Sequence, residues 1–122
     1  MPNILVIEDM PDSAELAAQI LRRYGHEVRI APNGESGLQM AVTQKPDLIV
    51  YDYWLPDIDA RSFLNRLRKN DGYENIPVLV CTAAPVTVMQ PGLGERGFAG
   101  MIHKPYRVSS FMEIIDAHLV AS

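Results

Sequence analysis

A single cysteine, Cys81, is too few for an internal disulfide, which excludes a cross-linked scaffold. It sits in an apolar run and reads as a small buried hydrophobe, compatible with a reducing compartment. Positive charge is also short. Eleven Lys and Arg against 15 Asp and Glu leave a formal charge of -4, which gives no support for the basic face that nucleic acid requires. No apolar run approaches the ~20 residues that a bilayer span needs, and the opening Met-Pro-Asn-Ile is not a basic segment with a long apolar stretch behind it. The expectation is a cytoplasmic protein that contacts neither nucleic acid nor membrane directly. Repeats, low-complexity segments and linker-like stretches are lacking too, so residues 1–122 read as one domain with one core.

What is present is alternation. Short apolar runs, "ILVI" (4–7), "VRIA" (28–31), "LIVY" (48–51), "VLVC" (78–81) and "GMI" (100–102), are separated by longer amphipathic segments. The runs have strand length, most are rich in Val and Ile, and two are apolar almost throughout, as in parallel strands covered on both faces. The segments between read as helices. Asp12 is placed to cap the first, with Glu15 completing a capping box and Gly25 stopping it. Leu16, Ala17, Ile20, Leu21 and Tyr24 then mark its inner face. Leu38, Ala41 and Val42 mark a second helix after Asn33-Gly34, and Phe63, Leu64 and Leu67 a third. Phe111, Ile114, Ile115 and Leu119 mark a last one from about Ser109. The fourth crossover, residues 83–96, holds two prolines, two glycines and three β-branched residues, and predicts a short or irregular helix. Five strands alternating with helices predict a doubly wound α/β fold with a parallel sheet and helices on both faces.

Ligands of such sheets bind beyond the carboxyl ends of the strands. Glu8 and Asp9 follow the first run, Asp52 the third and Thr82 the fourth, while His103, Lys104 and Pro105 follow the fifth. Three carboxylates, a hydroxyl and an ammonium would converge on one rim. Carboxylates that close repel unless a cation intervenes, and hard oxygen ligands suit Mg²⁺ where phosphate is handled. The set describes a site for a phosphoryl group, with one carboxylate as nucleophile and the metal and lysine neutralising its oxygens. Pro56 stiffens the turn behind Asp52, so the strand stops there to present a carboxylate at the rim.

Each of these residues alone has a plainer reading. A lone Asp after an apolar run is usually a turn or cap, Glu8-Asp9 a loop, Thr82 a turn residue and Lys104 a solvated side chain. The coincidence at four strand ends favours a site. Asp12, Asp57 and Asp59 stay as caps and turn residues. His26, His103 and His118 have no ligand spacing and read as surface residues. Trp54 competes between packing and a place over the mouth of the site.

The pieces "ILVIEDMPDSAELAAQILRRYGHEV", "PDLIVYDYWLPDIDA", "PVLVCTA" and "GFAGMIHKPY" together resemble the receiver domain of two-component response regulators, over nearly the whole chain. Any one motif alone would be weak, but their order and spacing are specific. The resemblance implies a flavodoxin-like fold with strand order 2-1-3-4-5. It implies Asp52 as phosphoacceptor, and Mg²⁺ held by Glu8, Asp9, Asp52 and the backbone carbonyl of Trp54. Thr82 would hydrogen-bond the phosphoryl group and Lys104 would pair with it, with Pro105 next in the chain. Thr82 and Met101 would form the switch. The donor would be a phosphohistidine on a sensor histidine kinase or a histidine phosphotransfer protein, and the readout a downstream protein target. Such a domain is not an enzyme beyond its own phosphoryl transfer and dephosphorylation.

Four departures from the family pattern bear on signal output. Ala60 stands where Gly is usual, and Met101 where an aromatic residue swings inward. Trp54 and Ala84 occupy positions that tune phosphoryl lifetime in relatives. The fourth crossover, with Pro91, Gly92 and Gly94, is unlike the usual helix. An alternative reading is a receiver-like adaptor that works without phosphorylation. An aspartyl phosphatase would want a second Asp two residues after the nucleophile, where Trp54 stands.

Overall fold

The computed structural model describes residues 2–53, 55–82, 98–104 and 107–119. Five strands, β1 (Asn3–Ile7), β2 (Glu27–Ala31), β3 (Leu48–Asp52), β4 (Val78–Thr82) and β5 (Gly100–His103), form one sheet in the order β2-β1-β3-β4-β5. Every pairing is parallel, with Ile4 beside Val28 and Leu48, Ile49 beside Val78, and Leu79 beside Gly100. Four helices are described: α1 (Pro11–Arg23), α2 (Gly34–Thr43), α3 (Ala60–Arg68) and α4 (Val108–His118). The sheet is the one that the sequence predicts. The fourth crossover, residues 83–96, and with it Ala84, lies outside the described residues, as do Trp54 and Pro105.

β1, β3 and β4 are buried at every position, because helices cover both faces. On one face Ile4, Val6, Val50 and Cys81 pack with Ala17, Leu21, Phe111 and Ile115 of α1 and α4. On the other, Leu5, Ile7, Ile49 and Val80 pack with Ala41, Phe63, Leu64 and Leu67 of α2 and α3. The edge strands β2 and β5 carry Glu27, Arg29 and His103 and are only partly covered.

Several local expectations are corrected. α1 has no Asp12 capping box. Its N-cap is Met10, without a side-chain bond, because Pro11 starts the helix at the position where a missing N–H costs nothing. Asp12 falls instead in the first turn, and Glu15 approaches Arg22 at 3.6 Å. The buried stripe of α1 is Ala14, Ala17, Ala18, Ile20 and Leu21, while Leu16 and Tyr24 face solvent. Ala14, Ala17, Ala18 and Leu21 recur at helical spacing on the inner face, which leaves Leu16 on the outer one. Val42 is likewise exposed, whereas Met112 of α4 is buried. His26 and His118 are half-buried rather than surface residues. His118 Nδ1 lies 2.8 Å from the Ile114 carbonyl, and Nδ1 of His26 is buried without a partner. Asn33 and Asp59 do cap α2 and α3, accepting the Ser36 and Ser62 amides at 2.8 Å. Gly25 ends α1 at φ 90°, a conformation that glycine adopts freely.

Candidate phosphoryl and metal site

The strand order reverses between β1 and β3, and in this sheet class that crevice receives ligands. Its walls are the strand ends. The parallel ladder runs one residue past each strand and fixes the rim: Glu8 N–H donates to Ala31, Tyr53 N–H to Cys81 and Lys104 N–H to Thr82, at 2.8 to 3.0 Å. Backbone pairing thereby sets where Glu8, Asp52, Thr82 and Lys104 stand.

Glu8, Asp52 and Thr82 are all buried, at 5%, 7% and 0% exposure, and Asp9 is exposed at the lip. Glu8, Asp9 and Asp52 each bring one carboxylate oxygen to within 4.8 Å of the others. Lys104 Nζ lies 2.6 Å from Glu8 Oε1. The other oxygen, Oε2, is buried and makes no hydrogen bond of proper geometry. Beneath these groups is a cavity of about 20 Å³ bordered by Ser13, Asp52, Cys81 and Lys104.

The electrostatics are finely opposed. Burial raises the Glu8 carboxyl, but its approach to Asp52 and its ion pair with Lys104 outweigh that and hold it below the usual carboxylate range. Burial also lowers the Lys104 ammonium, and the hydrogen bond to Glu8 reverses this and raises it. A bare site thus holds more negative charge than one lysine offsets. A cluster of three carboxylates with an unsatisfied buried oxygen fits a divalent cation bound through oxygen.

Glu8, Asp9, Asp52, Thr82 and Lys104 thus stand on one rim. Trp54 lies outside the described residues, so its carbonyl has no described place here. Met101 is half-buried on β5, beside Val80, and packs on the α2–α3 side. Ser13 was not singled out from sequence: it reaches the site because the first turn of α1 passes beside Glu8. Only its spacing, one helical turn after Asp9, could have signalled it. Asp57 and Asp59 remain caps, although Asp57 caps a helix other than its own.

The family profile for the response regulator receiver domain matches residues 4–116. This chain belongs to that family. The receiver domain is 40% identical over 119 residues to the DNA-binding dual master transcriptional regulator RpaA of Synechocystis, covering 98% of this chain and 49% of RpaA. It is 30% identical over 105 residues to hybrid signal transduction histidine kinase D of Dictyostelium discoideum, covering 86% of this chain and 7% of the kinase. The chain therefore spans half or less of these curated relatives. A CheY-like response regulator receiver domain protein from Methanospirillum hungatei superposes with a TM-score of 0.86 at 25% identity, covering 98% and 94% of the two chains. Homologues thus include both DNA-binding regulators and kinase-borne receivers. The role the family supports is that of a phosphorelay receiver, not of a phosphorylation-independent adaptor. No helix among the described residues is long and apolar enough to cross a membrane.

Proposed function

We propose that Asp52 accepts a phosphoryl group from a phosphohistidine of a sensor histidine kinase or histidine phosphotransfer protein, and that the change is read by a downstream protein target. Residues 1–122 would act as one receiver domain, in the cytoplasm. The observation that carries this reading is the buried Asp52 carboxylate at the end of β3, flanked by Glu8 and Asp9 and faced by Lys104.

In the transfer, a carboxylate oxygen of Asp52 attacks phosphorus. The P–N bond breaks, and its electron pair leaves with the imidazole of the donor. Lys104 turns from Glu8 towards a phosphoryl oxygen, where its charge offsets the dianion. Thr82, wholly buried beside Asp52, offers its hydroxyl to another oxygen. Glu8, Asp9 and Asp52 would hold Mg²⁺, which when bound neutralises both the crowded carboxylates and the incoming phosphoryl group. The chain catalyses only this transfer and the later loss of the phosphoryl group to water.

Incubation with acetyl phosphate and MgCl₂, read by intact mass, tests the assignment. The wild type should gain one phosphoryl group and Asp52→Asn none, with both proteins folded by circular dichroism. Undiminished labelling of Asp52→Asn would move the acceptor elsewhere.

A further inference from the structure

The turn from β3 into α3 follows Asp52 directly, and its described residues are fastened to the rest of the molecule. Tyr53 N–H donates to the Cys81 carbonyl at 2.9 Å. The buried Tyr51 hydroxyl donates to the Ile58 carbonyl at 2.7 Å. The Asp57 carboxylate accepts two consecutive amides of α2, Gly34 N–H at 3.0 Å and Glu35 N–H at 2.9 Å.

The last fastening is not a local cap. The amides lie 23 and 22 residues away in sequence, and α2 already has its own cap in Asn33. The approach is close: a Cβ on Gly34 would lie 2.8 Å from the Tyr51 hydroxyl and 3.0 Å from Ile58 Cβ. Glu35 in turn grips Arg66 of α3 through two hydrogen bonds, at 2.7 and 3.1 Å. The turn, the start of α2 and the exposed side of α3 thus close a circuit behind the acceptor. Burial raises the Asp57 carboxyl, but the Glu35 and Gly34 amides outweigh this and hold it below its usual range, as expected of an anion at a helix N-terminus.

We propose that Asp57 is a positioning residue for phosphoryl transfer: by tying the β3–α3 turn to the start of α2 it holds Asp52 in the direction that metal binding and attack require. The proposal rests on the assignment of Asp52 as acceptor and metal ligand. Asp57 touches neither metal nor phosphoryl group. Its removal leaves every ligand in place but lets the turn that aims Asp52 move.

Isothermal titration of MgCl₂ into the full chain tests this, with wild type, Asp57→Ala, Asp57→Asn and Asn33→Ala compared. Asp57→Ala should weaken Mg²⁺ binding by roughly 3- to 10-fold, less than the 10- to 100-fold typical of groups bonded to a ligand itself. Asp57→Asn keeps one acceptor oxygen and should fall between, and it keeps the test open if the alanine variant does not fold. Asn33→Ala removes the helix's own cap, so it should lower the melting temperature but leave Mg²⁺ affinity unchanged. The magnesium concentration for half-maximal labelling by acetyl phosphate should shift in parallel with affinity. Equal Mg²⁺ affinity of wild type and both Asp57 variants would overturn the proposal, as would a loss in Asn33→Ala as large as that in Asp57→Ala. A wild type that takes up no phosphoryl group would instead overturn the acceptor assignment, and this proposal with it.

Discussion

Cys81 shows how one position in the site can be close to the chemistry and yet inert. Its thiol borders the cavity beside Asp52 and Lys104. Burial pushes it up to about 12; the Lys104 ammonium opposes this, and the carboxylates of Asp52 and Glu8 add to it. The thiolate is the reacting species, so a rise of this size cuts its population at neutral pH by roughly 1,000-fold relative to a free cysteine. Native protein should therefore resist iodoacetamide at neutral pH and react quickly in denaturant. Equal alkylation rates in the two conditions, followed by mass, would contradict the buried placement. The same scale shows which site residues the sequence reveals. Glu8, Asp9, Asp52, Thr82 and Lys104 each stand where an apolar run breaks, so alternation exposes them. Ser13 and Asp57 do not, because Ser13 looks like an ordinary first-turn helix residue and Asp57 meets its partners only after the chain folds.

Among the elements, α2 lies against β1 because Gly37 leaves room for it. A Cβ there would come within 2.7 Å of Ile7 Cγ1, and Ile7 is wholly buried with nowhere to retreat. Alanine would gain about 1 kcal/mol in helix propensity. Overpacking of a filled core costs about 1–3 kcal/mol. The clash should win, so Gly37→Ala should lower stability by up to about 2 kcal/mol in urea unfolding, with an unchanged slope. A stabilised variant would show that α2 can shift outward at no cost. The elements themselves were legible, since central strands buried on both faces read as nearly continuous apolar runs. Their edges were less so. Pro11 moved the start of α1 upstream of the capping box that Asp12 and Glu15 spell out, and the face that meets the sheet is the alanine stripe rather than the one that carries Leu16. Propensity sees each residue alone, whereas the closeness of helix and sheet decides which face is buried.

At the scale of the whole molecule, the parallel sheet gathers charge at one rim. Alternation of strands and helices revealed the architecture, and the family resemblance added the strand order, which no single run encodes. The consequence is energetic. Unfolded, Glu8 and Asp52 would each be solvated and far apart; folded, both are nearly buried, with Asp9 close by and one lysine for all three. Removing one partner of a buried ion pair destabilises, but removing a surplus like charge relieves repulsion and desolvation. Lys104 makes its short contact to Glu8, and Asp52 is a second buried carboxylate that shares the same ammonium, so three carboxylates draw on one cation. Without divalent metal, Asp52→Asn should therefore be the more stable protein, by about 1–2 kcal/mol, or roughly 3–6 °C in melting temperature per kcal/mol for a chain of this size. Saturating MgCl₂ should narrow or reverse the difference, since a ligand stabilises only the state that binds it, and the wild type binds it better. Thermal unfolding of both proteins in EDTA and in MgCl₂ gives the four melting temperatures required. An Asp52→Asn variant less stable than wild type in EDTA would mean that the carboxylate is already neutralised in the metal-free fold, by a proton shared with Glu8 or by the reach of Lys104, and that the site is not held under charge strain at all.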